Sequence, residues 1–352
     1  MRLDSSRSAW LRKTAKVYLE TGTIRLNRSL RLSLDAGDIV GKMGSNILSP
    51  HHGNTTPMKK LVFLILSSLC FADVASAQFS KVLDSCRMQS TILQGERKYA
   101  VYLPPGFDTS SRSYPVLYLL HGSGDDQTGW VQFGEVQSIA DKAIADGKAT
   151  PMVIVMPDAN TGTRGYFNDA KGEWRYEDFF FQEFMPFVEK EYRIKSEKRY
   201  RAVAGLSMGG GGSFMYALHH PELFSSACPL SASTGSLSFE EAKERALRVR
   251  PGEPNAESKK PTEEQLKSHY LQHSVLELVN RIPDDQKKAV RWYIDCGDDD
   301  FLYEGNALVH IAMRKKEIPH EFRVRDGGHK WSYWRESLPT VLAFVSQSFH
   351  QD

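Results

Sequence analysis

From Lys98 onward the chain alternates short apolar runs with amphipathic stretches. The runs YPVLYLLHG (114–122), PMVIVMPDA (151–159), RYRAVAGLS (199–207), LFSSACPLSA (223–232), RWYIDCG (291–297) and HEFRVRDGG (320–328) each have the length of a strand. Several are apolar nearly throughout, as strands covered on both faces must be. Between them, residues 136–145, 176–192, 209–218, 303–316 and 332–348 read as helices. This alternation predicts parallel strands joined by crossover helices on both faces of a central sheet. In such an α/β architecture, ligands bind at the carboxyl ends of the strands.

One segment breaks the rhythm. Residues 235–289 separate two strands by far more than one crossover helix requires. Two capping boxes, Ser238 with Glu241 and Thr262 with Gln265, open helices on either side of the loop PGEPNAESKKP. The segment reads as a helical insertion over the strand ends, and a solvated excursion that never meets substrate fits the same pattern.

Upstream, Met58-Lys59-Lys60 opens the run LVFLILSSLCFADVASAQ, with Ala75-Ser76-Ala77 before Gln78. A basic start, a short apolar core and small residues at the end form the pattern of a secretory signal peptide, residues 58–77, cleaved after Ala77. Its apolar core falls short of the roughly 20 residues of a membrane span, so the mature protein is expected to have none. Leu69 stands where a small residue would precede a lipidated Cys70, which favours soluble export to the periplasm or the exterior. Residues 1–57 show no sustained period and are expected to be a disordered upstream extension, which a start assigned too far upstream explains. Residues 78–352 are expected to form one catalytic domain.

Composition changes the picture in two places. The whole chain carries a formal charge of +2, with 41% hydrophobic and 25% charged residues, an ordinary globular balance. Beyond residue 77 there are 34 basic and 38 acidic residues, so no basic excess favours nucleic acid as a partner. Cys86, Cys228 and Cys296 remain there, widely spaced, with no C-x-x-C metal pattern.

The chemistry centres on VAGLSMGGGGS. G-L-S-M-G fits G-x-S-x-G, a common pattern in itself, but an apolar strand runs into it and an amphipathic helix follows. That strand-turn-helix setting is what a nucleophile elbow requires. The sharp turn holds Ser207 in an unfavourable backbone conformation, Gly205 and Gly209 make room, and the Met208 N–H at the helix start faces a developing oxyanion. A phosphate loop would need G-K-[ST], and no lysine precedes Ser213.

A serine hydroxyl needs a histidine base and an acid to orient it, in the order Ser, Asp, His. DGGHKWSYW places His329 in a glycine-flanked loop after a strand, as the general base. DCGDDDFLY offers Asp298, Asp299 and Asp300, among which spacing cannot choose. Three consecutive carboxylates do not make a calcium loop, whose ligands alternate, so no metal and no cofactor is expected. The second oxyanion donor is expected from LLHGSGDD, as the backbone N–H of Ser123, with His121 shaping the loop.

Together, LLHGSGDD, YEDFFFQEFMPFVEKEYR, AGLSMGG, DCGDDDFLY and GGHKWSYW resemble the α/β-hydrolase family of esterase D. That family includes S-formylglutathione hydrolase, the feruloyl and acetylxylan esterases of carbohydrate esterase family 1, siderophore esterases and the antigen 85 mycolyltransferases. The resemblance spans most of residues 99–349. It implies Ser207 as nucleophile, His329 as base and, from the family's G-x-x-D pattern, Asp300 as acid with Asp299 as the fallback. Ser123 and Met208 then form the oxyanion hole. Export within this family favours feruloyl or acetyl esters of plant polysaccharides. An acyltransferase, a siderophore or thioester hydrolase and a non-catalytic carbohydrate-binding relative are the alternatives. Trp130, Trp174 and Trp331 are candidates to contact substrate, as are Tyr166, Phe167 and Trp334, although Trp331 and Trp334 share a helix face that core packing also explains.

Overall fold

The computed structural model describes residues 79–159, 165–247 and 261–350. The proposed signal peptide and the upstream extension lie outside them. Eight strands form one sheet in the order β1-β2-β4-β3-β5-β6-β7-β8. They are β1 (Lys81–Ser90), β2 (Gly95–Leu103), β3 (Val116–Leu120), β4 (Val153–Pro157), β5 (Arg201–Leu206), β6 (Ser226–Leu230), β7 (Arg291–Gly297) and β8 (His320–Arg325). From β4 to β8 the neighbours run parallel, while β1 and β2 are antiparallel. Every apolar run read from the sequence is a strand. The mostly polar β1 was not anticipated, because an edge strand with an exposed face carries no apolar run.

All five residues of β3 are buried, and they divide by parity. Val116, Tyr118 and Leu120 join the core on one face, and Leu117 and Leu119 the core on the other. Each such apolar side chain contributes about 1.5–3 kcal/mol on burial, which explains why β3 is apolar on both faces. The first face is covered by α3 (Tyr176–Phe179), which passes through a wide turn at Phe180–Phe184 into α4 (Met185–Glu191), and by α5 (Met208–His219). The opposite face is covered by α2 (Val136–Ala145), which follows the short α1 (Gly129–Gln132), and by α10 (Trp331–Phe349).

Between β6 and β7 stand α6 (Phe239–Leu247), α7 (Glu263–His273) and α8 (Val275–Arg281), and α9 (Tyr303–Lys315) follows β7. Thr262 and Gln265 form the reciprocal capping box of α7. At α6 the Ser238 hydroxyl accepts from Glu241 N–H, but the Glu241 carboxylate accepts from Leu237 N–H rather than from Ser238. Helix α8, capped by Ser274, was not foreseen. The insertion is no solvated excursion. Val275 and Val279 are buried in the main core, and His219 at the end of α5 holds the Gln272 carbonyl of α7 at 2.8 Å. Among the described residues no helix is long and apolar enough to cross a membrane, and Cys86, Cys228 and Cys296 are free thiols.

Candidate active site

Strand β5 ends at Leu206 and α5 begins at Met208, so a single residue, Ser207, makes the turn. It does so at φ 55° and ψ −117°, a region that costs an L-residue of order 1–3 kcal/mol. The surroundings enforce it: Ser207 N–H donates to Leu230 O at 2.9 Å, and its carbonyl accepts from Gly211 and Ser233 at 3.0 and 2.9 Å. The glycines that follow are required by close packing. A Cβ on Gly209 would lie 2.5 Å from Leu120 O, and one on Gly211 would lie 2.2 Å from Ser233 O. Helix propensity alone leaves this run unexplained, since each glycine costs about 1 kcal/mol relative to alanine in a helix interior.

The candidate acid and base lie on two loops that are joined to each other. Beyond β7 and β8, Asp298 N–H donates to Arg325 O, Asp299 N–H to Gly327 O, and Gly327 N–H to the Asp298 carboxylate. This lacing brings Asp300 Oδ2 to 2.8 Å from His329 Nδ1. On the far side of the ring, His329 Nε2 is 2.9 Å from Ser207 Oγ. The sequence left three aspartates open. Asp300 is the one that meets the histidine, and it is buried, whereas Asp298 and Asp299 are exposed.

Burial pushes the Asp300 carboxyl up, but hydrogen bonds from His329, from Leu302 N–H and from Ser231 outweigh it and hold the group below its ordinary value. Ser231 also accepts from the Trp334 indole at 3.0 Å, and the Trp334 ring stands edge-on to His329 with centroids 4.9 Å apart. Sequence reasoning missed Ser231, because a serine after a strand carries no motif. It also missed Phe301, which is 70% exposed with its ring centroid 4.5 Å from that of His329.

The loop after β3 closes the site. A Cβ on Gly122 would lie 3.4 Å from Ser207 Cβ, so the next residue, Ser123, follows directly on a contact with the serine. His121 braces this loop: Nδ1 lies 3.0 Å from Gly122 O, and Nε2 accepts from Ala159 N–H at 3.1 Å. That pattern requires the neutral ring, and burial holds His121 below its ordinary value. Met208 N–H, the first of α5, has no acceptor within the helix. Met208 thus adjoins Ser207 in the chain, and Gly122, the residue before Ser123, packs against it.

The tryptophans need correction. Trp130 is fully buried and its indole donates to Leu120 O at 3.0 Å, so it is core and presents no face to a ligand. Trp174 is buried too, stacked on Tyr176 and bonded to Gly165 O at 2.8 Å. Tyr166 is likewise buried, with its hydroxyl holding His121 N–H. Trp331 is half-buried between Trp130 and Phe133, one ring removed from His329 through Trp334. Among the described residues, Asp298, Asp299 and Asp326 gather carboxylate oxygens within 4.8 Å of one another, all exposed.

Residues 90–345 match the family described as "Putative esterase". An endo-1,4-beta-xylanase/feruloyl esterase of Xylanibacter ruminicola is 38% identical over 135 residues, 35% of this chain and 18% of that protein. An esterase of Mycobacterium tuberculosis is 36% identical over 145 residues, 40% of this chain and 30% of that protein. The chain thus spans less than a third of these curated relatives. A solved structure titled ferulic acid esterase is 37% identical and superposes with a TM-score of 0.66, covering 77% of this chain and 100% of that one.

Proposed function

This chain belongs to the esterase family that it matches over residues 90–345, and from that membership we propose that it hydrolyses carboxylic esters through an acyl-enzyme. The observation that carries the reading is the continuous hydrogen-bonded series Asp300–His329–Ser207, ending on a serine at positive φ before a helix. His329 Nε2 takes the Ser207 proton as Oγ attacks the ester carbonyl. Met208 N–H and Ser123 N–H receive the developing oxyanion, a donor being worth about 2.7–4 kcal/mol in the transition state. His329 then returns the proton to the leaving alcohol. A water, deprotonated by the same imidazole, attacks the acyl carbon and releases the acid. Asp300 holds the imidazole tautomer and stabilises the imidazolium without accepting its proton.

The proposed substrates are feruloyl or acetyl esters of plant polysaccharides. The names of the xylanase/feruloyl esterase and ferulic acid esterase relatives support the acyl group, and the leader-like pattern at 58–77 supports an extracytoplasmic polymer. Residues 78–352 are the proposed catalytic unit. Rates on methyl ferulate, acetylated xylan, S-formylglutathione and a catecholate trilactone test the assignment. Fastest turnover of methyl ferulate or acetylated xylan is expected, and preference for the thioester or the trilactone would overturn it.

A further inference from the structure

Residues 230–233, the end of β6 and the turn after it, touch both ends of the Asp300–His329–Ser207 series. Leu230 O accepts from Ser207 N–H at 2.9 Å and Ser233 N–H donates to Ser207 O at 2.9 Å, so the turn grips the nucleophile on either side of its Cα. Ala232 is held in turn by Asn306 of α9, whose side-chain oxygen accepts from Ala232 N–H at 3.2 Å and whose amide donates to Ala232 O at 2.9 Å.

Ser231 carries the turn's side-chain contact with the acid. It is fully buried and stands at φ 44°, where L-residues other than Asn and Asp are uncommon. Its N–H donates to Asp295 O of β7 at 2.7 Å. The Trp334 indole, which can only donate, gives its hydrogen to Ser231 Oγ at 3.0 Å. The hydroxyl hydrogen is therefore left to be donated, and two acceptors interact with it, the Asp300 carboxylate and the Cys296 sulfur. A thiol sulfur accepts weakly, whereas a bond to a carboxylate is charge-assisted, so the hydrogen goes to Asp300. A carboxylate turns easily about its last torsion, and the Leu302 N–H, 2.9 Å from Oδ1, holds it from its own loop alone. Ser231 adds a donor from a different strand.

We propose that Ser231 is a positioning residue, whose hydroxyl fixes the Asp300 carboxylate in the plane that meets His329 Nδ1 and ties it to the turn that holds Ser207. The inference rests on the esterase reading of Ser207 and deepens it. Ser231 meets no reacting atom and acts through Asp300.

Removing the hydroxyl has a signed consequence. A buried carboxylate that loses a donor becomes more basic, and an imidazolium facing it holds its proton more tightly. Both changes move the acidic limb of kcat/KM to higher pH. The Cys296 thiol also interacts with this carboxylate, but burial pushes it up to about 12, so it stays neutral over that limb.

Ser231→Ala should lower kcat on an aryl acetate about 10-fold, the size of one hydrogen bond to a charged group, with KM unchanged. Its acidic limb should lie at higher pH than that of the native protein. Ser231→Gly also removes the hydroxyl but adopts φ 44° without strain, so it should lose activity equally. It also serves if the alanine variant does not fold, and thermal melting reports folding for both. A native kcat in either folded variant overturns the proposal, because the hydroxyl then does nothing. An acidic limb that stays in place or moves to lower pH overturns it too, since general loosening of the pair with His329 does that. In these cases the native protein still cleaves the aryl acetate and is labelled by a fluorophosphonate, and the esterase reading stands. If the native protein does neither, the esterase reading fails and the positioning role fails with it.

Discussion

His329 Nε2 stands 2.9 Å from Ser207 Oγ while its Nδ1 stands 2.8 Å from Asp300, so one ring bridges residues 122 positions apart on one side and 29 on the other. The serine hydroxyl alone would not fix the tautomer, because it can donate or accept, but the carboxylate can only accept. With a carboxylate accepting from Nδ1–H, the lone pair of Nε2 is left facing the serine.

Groups that act as a unit are not additive when removed. Ser207→Ala and His329→Ala are each expected to lower kcat on an aryl acetate by about 10⁴–10⁶, with the double variant little worse than either. Labelling by a fluorophosphonate should disappear in Ser207→Ala while the melting temperature holds. Independent, multiplying losses would argue against a shared proton path.

Asp300→Asn should lower kcat about 10⁴-fold, because an amide can present its N–H to Nδ1 and so stabilise the wrong tautomer. Asp299→Asn should change it little, since that side chain is exposed and Asp300 holds the ring. Because hydrogen bonds hold Asp300 below the ordinary carboxylate range, it keeps its charge and its acceptor role towards Nδ1–H as pH falls, until that lowered value is passed. Steady-state rates of both variants over acidic pH separate the two aspartates.

Gly211→Ala sets helix propensity against sterics. Alanine gains about 1 kcal/mol as a helix former, but its Cβ would meet Ser233 O at 2.2 Å, and overpacking of this kind costs about 1–3 kcal/mol. We expect a lower melting temperature and a loss of activity beyond it, because Ser233 also holds the Ser207 carbonyl. A stabilised, fully active variant would contradict this account of the glycine run.

Glu177 of α3 pairs with His219 of α5 at 2.6 Å, and His219 ties the insertion to them by donating from Nε2 to Gln272 O at 2.8 Å. Burial raises Glu177, but hydrogen bonds from His219 and His220 dominate and lower it to about 2. Burial lowers His219, but the bond and charge of Glu177 dominate and raise it above 6.5. The Glu177 contribution is thus present above its unfolded value near 4.5 and lost as pH falls towards about 2. The His219 contribution is complete below 6.5 and lost as pH rises through its raised value. Compared with Glu177→Gln, the native protein should be most stabilised between pH 4.5 and 6.5. Melting curves across pH 3–9 with a constant difference would refute this coupling.

Much of this protein was determined by local sequence. The apolar runs became β3 to β8, most plainly at β3 and β4, where burial on both faces favours an unbroken apolar run, and that signal needs no knowledge of neighbours. The elbow was legible for a related reason: a serine between glycines, at the junction of a strand and a helix, states its own backbone geometry. His329 was legible from its glycine-flanked place at a strand end. Tertiary structure decided the rest. Which aspartate meets His329 depends on how the loops after β7 and β8 lace together, a relation between residues 29 apart. The tryptophans were misjudged because a loop position says nothing about burial, and Trp130 folds back under Leu120. Gly211 lacked a reason until Ser233, after the next strand, came within 2.2 Å of where its side chain would begin. Propensity and period act over a few residues, whereas close approach and hydrogen-bond pairing act only once the sheet has brought distant segments together.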